Sequence, residues 1–311
     1  FVQIHNIQLD SKTSVANINL AIGNFDGVHL GHQKIIDELI EYSKIKNCSS
    51  AILSFKPHPR QFFSDECRNF QLITEEEKIC LLDKQGIDHY FSLLFDENIA
   101  SMSPKDFITK ILVEKLHSKH LIVGYDFKFG KERKGNASLL QEQSKTLGFD
   151  TNVIQPITSN YNAAVYSSSR IREFIRDGNM EKANSFLGRN WSMKGTVIKG
   201  DRRATAMNFP TANLVPGELI HPKKGVYAIR ARCINKWSNG IANFGERPTV
   251  DGKRLLLEAH LFEFNQDIYG KELTVEFLTF IREEKKFDNF ALLTEQIQKD
   301  IQLVKAYHSK H

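Results

Sequence analysis

Two histidines, His29 and His32, stand at the end of the string Gly23-Asn24-Phe25-Asp26-Gly27-Val28-His29-Leu30-Gly31-His32. The apolar run Ile18 to Ile22, with Asn19 as its one polar member, reads as a buried strand leading into the string. After it Ile35, Ile36, Leu39 and Ile40 recur at helical spacing, so a helix starts near His29 or Leu30. A strand, a glycine-bearing turn and a helix N-terminus aim free backbone N–H groups, with a dipole worth roughly half a positive charge, at whatever sits above the turn. Gly23, Gly27 and Gly31 let a ligand come close to the backbone. Residues at this spacing fall on one face of a first helical turn, where imidazolium groups would meet a phosphate. The same pair is compatible with ordinary surface or core histidines, or with half a metal site, although no third His or Cys with ligand spacing lies nearby. The glycines fit neither the Rossmann fingerprint nor the Walker loop.

Five more stretches carry chemistry-bearing residues. His58 lies between Pro57 and Pro59 after the apolar run Ala51 to Phe55, at the strand end where open α/β sheets bind ligands. Between Gly124 and Gly135, Asp126, Phe127, Phe129 and Arg133 offer aromatic faces for a flat ring, cations for phosphates and a carboxylate for a hydroxyl or magnesium; a solvated loop is the plainer alternative. Ser167, Ser168 and Ser169 precede a helix beginning near Ile171, and they with Arg172 can present donors to an anion or simply cap the helix. Farther on, Thr211 and Asn213 place a hydroxyl and an amide on one side of an extended chain, a pairing that suits a hard cation such as Mg2+. Glu258 is a carboxylate in an otherwise apolar strand, Leu257-Glu258-Ala259-His260-Leu261, where an outward-facing position is the plainer reading.

The elements that must position these residues fall into two kinds. From Ile18 to Leu187 strands and helices alternate, which predicts a parallel sheet covered on both faces. Thr74-Glu75-Glu76-Glu77 is a capping box closed by Gly86, and Ser103-Pro104 opens another helix with an apolar stripe. From Trp191 the alternation gives way to strand-like segments separated by Gly, Pro and Asn, then a helical segment from Phe290 to Val304. The expectation is an α/β domain over residues 1–187 and, over residues 188–311, a small antiparallel β-barrel with a C-terminal helix.

Composition narrows the function classes. The chain has 311 residues and a formal net charge of +5, with both signs interspersed, which suits basic pockets for phosphorylated small molecules better than a nucleic-acid-coating surface. Its four cysteines are scattered without a Cys-x-x-Cys, which points to reduced thiols in a cytoplasm. No basic-then-apolar leader is visible, and no apolar run approaches the ~18 residues of a membrane span.

The string from Gly23 to His32 resembles the His-x-Gly-His signature of the nucleotidylyltransferase superfamily and, at full length, that of the prokaryotic bifunctional riboflavin kinase/FAD synthetase family. Phe55-Lys56-Pro57-His58-Pro59, Gly124-Tyr125-Asp126-Phe127-Lys128-Phe129-Gly130 and Ser167-Ser168-Ser169-Arg170-Ile171-Arg172 are similar to further segments of that family, the last with Ser169 where Thr is usual. Phe209-Pro210-Thr211-Ala212-Asn213, Gly245-Glu246-Arg247-Pro248-Thr249, Glu258 and Tyr269-Gly270 look like its riboflavin kinase module. The resemblance implies a Rossmann-like N-terminal domain that transfers AMP from ATP to FMN, releasing pyrophosphate, and a barrel that phosphorylates riboflavin. It implies His29 and His32 as catalytic groups in the first reaction and Glu258 as the base in the second, with Thr211 and Asn213 holding Mg-ATP. Gly23, Asn24, Phe25, Asp26, Gly31, His58, Asp126, Phe127, Arg133, Ser167, Ser168, Ser169, Arg172, Gly200 and Arg247 are the implied ATP and flavin contacts. The partners are then small molecules, ATP, riboflavin and FMN, with no nucleic acid and no membrane; a homo-oligomer is left open. One departure stands out: Ala204, Thr205 and Asn208 replace the Gly, Arg and Gly usual in the family's kinase loop, so FAD synthesis with a kinase-inactive, flavin-binding barrel is the alternative.

Overall fold

A computed structural model describes residues 1–64, 68–158, 164–198, 211–233, 236–249 and 252–310. The chain divides into two compact units, residues 1–68 with 73–167, and residues 69–72 with 168–311.

The first unit runs β1 (Gln3–Ile7), β2 (Ile18–Ile22), α1 (Leu30–Lys46), β3 (Ser49–Lys56), α2 (Pro59–Phe63), α3 (Glu75–Gln85), β4 (His89–Leu94), α4 (Glu97–Ser101) and α5 (Pro104–Asp106), which continues as a π-helical stretch over Phe107–Lys115. Then follow β5 (Ser118–Gly124), the short hairpin β6 (Lys128–Phe129) and β7 (Gly135–Asn136), α6 (Ala137–Leu147) and β8 (Asp150–Ile154). Six strands form one parallel sheet in the order β1-β4-β3-β2-β5-β8. All five residues of β2 are buried, as its continuous apolar sequence requires of a central parallel strand. The chain builds outward from β2 through β3 and β4, then starts again on the other side with β5. The carboxyl ends of β2 and β5 therefore meet at the topological switch point, where open sheets of this kind bind ligands. The expected N-cap forms: Thr74 accepts from the N–H of Glu77, and Gly86 closes α3 in the left-handed conformation. β1 is an additional strand, beyond those expected from the sequence.

The second unit contains α7 (Ser168–Arg176), α8 (Met180–Leu187), β9 (Trp191–Ile198), β10 (Ala212–Leu214), β11 (Gly225–Cys233), β12 (Lys236–Thr249), β13 (Gly252–Leu261), β14 (Glu272–Arg282) and α9 (Phe290–Lys310). Strands β10-β13-β12-β11-β14-β9 close into an antiparallel barrel. Its interior is filled by alternate residues such as Tyr227, Ile229, Phe244, Leu257 and Phe277, while Val304 of α9 packs on Val226, Ala228 and Ile241 outside it. Residues 69–72 are part of this unit. The N–H of Ile220 donates to the carbonyl of Gln71 (2.8 Å) and the indole N–H of Trp191 to that of Leu72 (2.9 Å). Asp300, only 2% exposed, accepts from the guanidinium of Arg282 (2.7–3.0 Å) and the amide of Gln296 (2.8 Å), fixing the end of β14 to α9. Among the described residues no helix is long and apolar enough to cross a membrane.

His120 on β5 is 3% exposed and stacks on Tyr42 of α1 at 3.9 Å, and neither ring nitrogen makes a hydrogen bond among the described residues. Burial lowers its pKa below 6.5, with Asp150 opposing and Lys46 assisting the shift. His5, His89, His221 and His308 are lowered for the same first reason. The unfolded chain thus binds more protons than the folded one between these depressed values and 6.5, so stability is lost as pH falls through that window. Urea unfolding midpoints should drop between about pH 7 and about pH 5.5, and His120→Phe, which keeps the stack but not the titration, should flatten the drop.

Candidate active sites

In the first unit, β2 ends at Ile22 and α1 begins at Leu30, so the intervening loop hangs over the sheet's carboxyl edge. His29 is the N-cap of α1: its Nδ1 accepts from the N–H of His32 at 3.3 Å. The two imidazoles stack at 3.6 Å and 19°, and His32 also tilts against the Phe25 ring at 5.0 Å. His29 is 4% exposed and His32 half-buried. Gly31 permits this stack, because a Cβ there would press at 3.1 Å on both the His29 ring and the Tyr166 Cβ. Phe25 and Val28 have positive φ angles of 48° and 38°, a conformation that costs a non-glycine residue of order 1–3 kcal/mol and collects at functional loops. Gly23 lies against the Phe25 ring, Asp26 is buried, and the Asn24 Oδ1 is buried without a hydrogen bond. The Ser54 hydroxyl donates to the Asn24 carbonyl at 3.4 Å, and behind it lies the buried Lys78 ammonium, 3.4 Å from Ser54 Oγ and from Glu75 Oε2. Glu75 also accepts from the hydroxyl of Tyr90 at 2.7 Å. The sequence marks that helix only by its cap at Thr74, which carries no chemical signal for Lys78.

The other first-unit candidates are distributed along the same strand ends. His58 caps α2, its Nδ1 accepting from the N–H of Arg60 at 3.1 Å. Asp126 and Arg133 are exposed on the segment that leaves β5 and enters the β6–β7 hairpin. The aromatic pair there differs from expectation. Phe129 is a core residue packed on Phe107, and Phe127 stacks on Phe129 at 5.4 Å, so Phe129 has no free face for a ring ligand. Ser167 belongs to this unit and immediately precedes α7.

Ser168, Ser169 and Arg172 belong to the second unit, the serines lying within the first turn of α7 rather than ahead of it. Arg172 is 6% exposed; its Nε donates to the carbonyl of Phe70 at 2.7 Å and its guanidinium lies over the Phe70 ring at 4.7 Å. On the barrel, Asn213 of β10 stands directly opposite Glu258 of β13, which stands opposite Asn243 of β12. This register brings two of the expected residues, Asn213 and Glu258, into one row on the outer face. Thr211 precedes β10 and is half-buried. Glu258 Oε2 accepts from Arg247 Nε at 2.8 Å and also from Arg247 Nη2. Arg247 Nη1 donates to Glu284 Oε1 at 3.0 Å. Burial opposes the charge of Arg247, but the two carboxylates outweigh it and hold the guanidinium's pKa above its ordinary value. Glu284 was not foreseen, since Arg282-Glu283-Glu284-Lys285-Lys286 reads as a solvated charge run. Gly200 and the departures Ala204, Thr205 and Asn208 lie outside the described residues.

Two family models match the chain in succession, FAD synthetase over residues 11–170 and riboflavin kinase over residues 187–308. The chain is 40% identical over 290 residues to a bifunctional riboflavin kinase/FMN adenylyltransferase of Haemophilus influenzae, covering 93% of each. It is 36% identical to the protein of that name from Bacillus subtilis, over 96% of this chain and 95% of that one. A crystal structure described as a macrolide-efflux protein from Streptococcus pneumoniae superposes with a TM-score of 0.86 at 26% identity, covering 96% of this chain and 98% of that one.

Proposed function

The chain belongs to the bifunctional riboflavin kinase/FMN adenylyltransferase family, and on that premise we propose how its residues divide the two reactions. It is a transferase of FAD biosynthesis that phosphorylates riboflavin to FMN and adenylylates FMN to FAD, using ATP for both. The observation that carries this is the succession of two family matches along one chain. We assign adenylyl transfer to residues 1–187 and phosphorylation to residues 188–311.

In adenylyl transfer, an oxygen of the FMN phosphate attacks the α-phosphorus of ATP in line, and pyrophosphate leaves with its bonding electrons. His29, His32 and the first N–H groups of α1 stabilise negative charge on the transferring group. The cap and the ring stack support this reading, since they fix both imidazoles before substrate arrives. Gly23, Asn24, Phe25, Asp26, Gly31, His58, Asp126, Phe127 and Arg133 line the approach for nucleotide and flavin, and Ser167 offers its hydroxyl to an outer phosphate.

In phosphorylation, Glu258 takes the proton of the riboflavin 5′-hydroxyl as its oxygen attacks the γ-phosphorus and ADP departs. Both bonds from Arg247 fall on Oε2, which leaves Oε1 to accept that proton. Thr211 and Asn213 offer hard oxygen donors, and the Asn213 amide makes no hydrogen bond among the described residues, a donor set that fits Mg2+. The bound ion would screen the charge of the nucleotide phosphates. Gly200 completes the proposed nucleotide contacts. Cys48, Cys80 and Cys233 are free thiols, which supports a cytoplasmic location.

The test is chromatography of flavins after incubation with Mg-ATP and either riboflavin or FMN. Riboflavin should give FMN and FAD, and FMN should give FAD. Conversion of FMN alone would mean that the barrel has lost its kinase role; conversion of neither would remove the enzymatic reading.

A further inference from the structure

The geometry points to Glu284 as a positioning residue for riboflavin phosphorylation, holding Arg247 so that Glu258 keeps its orientation. The inference rests on the reading of Glu258 as the base. Arg247 lies between two carboxylates: its Nε and Nη2 serve Glu258 Oε2, and its Nη1 serves Glu284 Oε1 at 3.0 Å. Glu284 is itself held in place. Asn243, the residue facing Glu258 across the sheet, donates its amide to the same Glu284 oxygen at 3.1 Å. The carboxylate rests on Gly245, where any Cβ would overlap it. The chain leading to it is pinned on both sides, by Lys223 on Glu283 at 2.7 Å and by buried Asp300 on Arg282. A surface carboxylate with no role does not ordinarily receive a glycine cradle, an amide and a guanidinium together.

The chemistry follows from sharing one cation between two anions. Glu284 and Glu258 grip the guanidinium from two sides, which fixes its plane and with it the carboxylate of Glu258. Replacing the carboxylate of Glu284 by an amide exchanges a charge-assisted bond to Arg247 for a weaker neutral one. The fork also loses its second anchor and can rotate about its bond to Glu258.

Glu284→Gln should lower kcat for riboflavin phosphorylation about tenfold, the loss of one charge-assisted bond, with KM for riboflavin within about twofold. A loss of kcat at near-constant KM, with FAD formation from FMN unchanged, is a split that a merely structural defect of the barrel would not give. Glu284→Asp keeps the charge and should lose less kcat than Glu284→Gln. Glu284 is 33% exposed, so both changes are compatible with the fold, and FAD formation from supplied FMN reports on each preparation. An unchanged kcat in Glu284→Gln, with Glu258→Gln inactive as a kinase, overturns the positioning role alone. Phosphorylation that survives Glu258→Gln overturns the base and the positioning role with it.

Discussion

His32→Ala should lower the rate of FAD formation from FMN and ATP by about 10²–10³-fold, the scale set by removing one preorganised transition-state donor. The ring of His32 is held on one side by the His29 imidazole at 3.6 Å and on the other by Phe25 at 5.0 Å, so it needs no reorganisation when charge develops on the α-phosphoryl group. Alanine is the best helix former, and the lost side chain is half-buried, so α1 should remain intact. His29 requires a different substitution. Its Nδ1 caps the helix, and losing a cap costs about 0.5–2 kcal/mol, so His29→Ala mixes stability with chemistry. His29→Asn keeps an acceptor at the cap and removes the imidazole. Single-turnover rates with thermal unfolding midpoints separate the effects; a near-wild-type rate for His32→Ala would exclude that histidine from the mechanism.

Glu258→Gln should reduce riboflavin phosphorylation by about 10²–10⁴-fold, the range for a positioned general base. Glutamine preserves the volume and can still accept from Arg247, so the barrel wall should persist. Formation of FAD from supplied FMN should continue, giving a control within the same polypeptide. The two assays then change in opposite combinations for His32→Ala and Glu258→Gln. Loss of both activities in either variant would contradict the assignment of separate residues to the two reactions.

Much of this arrangement was legible because it depends on local physics. The buried strand Ile18 to Ile22, the glycine-bearing turn and the periodic apolar positions of α1 each carry their own signal, and together they place His29 and His32 at a helix start. The barrel strands alternate as Tyr227, Ile229 and Ala231 do, inward against outward Arg230 and Arg232. What stayed hidden is tertiary. β1 is an edge strand whose Gln3-Ile4-His5-Asn6 is largely exposed, so it has no burial pattern to read. β10 spans Ala212–Leu214 and is too short for a periodicity. The positive φ of Val28 runs against its β-branched side chain and cannot be inferred from propensity. Glu284 looks like one charge among several until β12 and β13 bring Arg247 beneath it.

Residues 69–72 bear on how the coding sequence can be divided. Because they belong with residues 168–311, the chain passes between the units at 68/69, 72/73 and 167/168. A split gene opened at the last of these points would not release a self-contained cassette. The downstream product would keep Trp191 and Arg172 but lack the carbonyls of Leu72 and Phe70 that they bond. Each donor stranded in the interior costs about 1–3 kcal/mol. The two compact units are therefore interleaved in the genetic text, and exchange of the second unit between relatives has to carry this short upstream insert along with it.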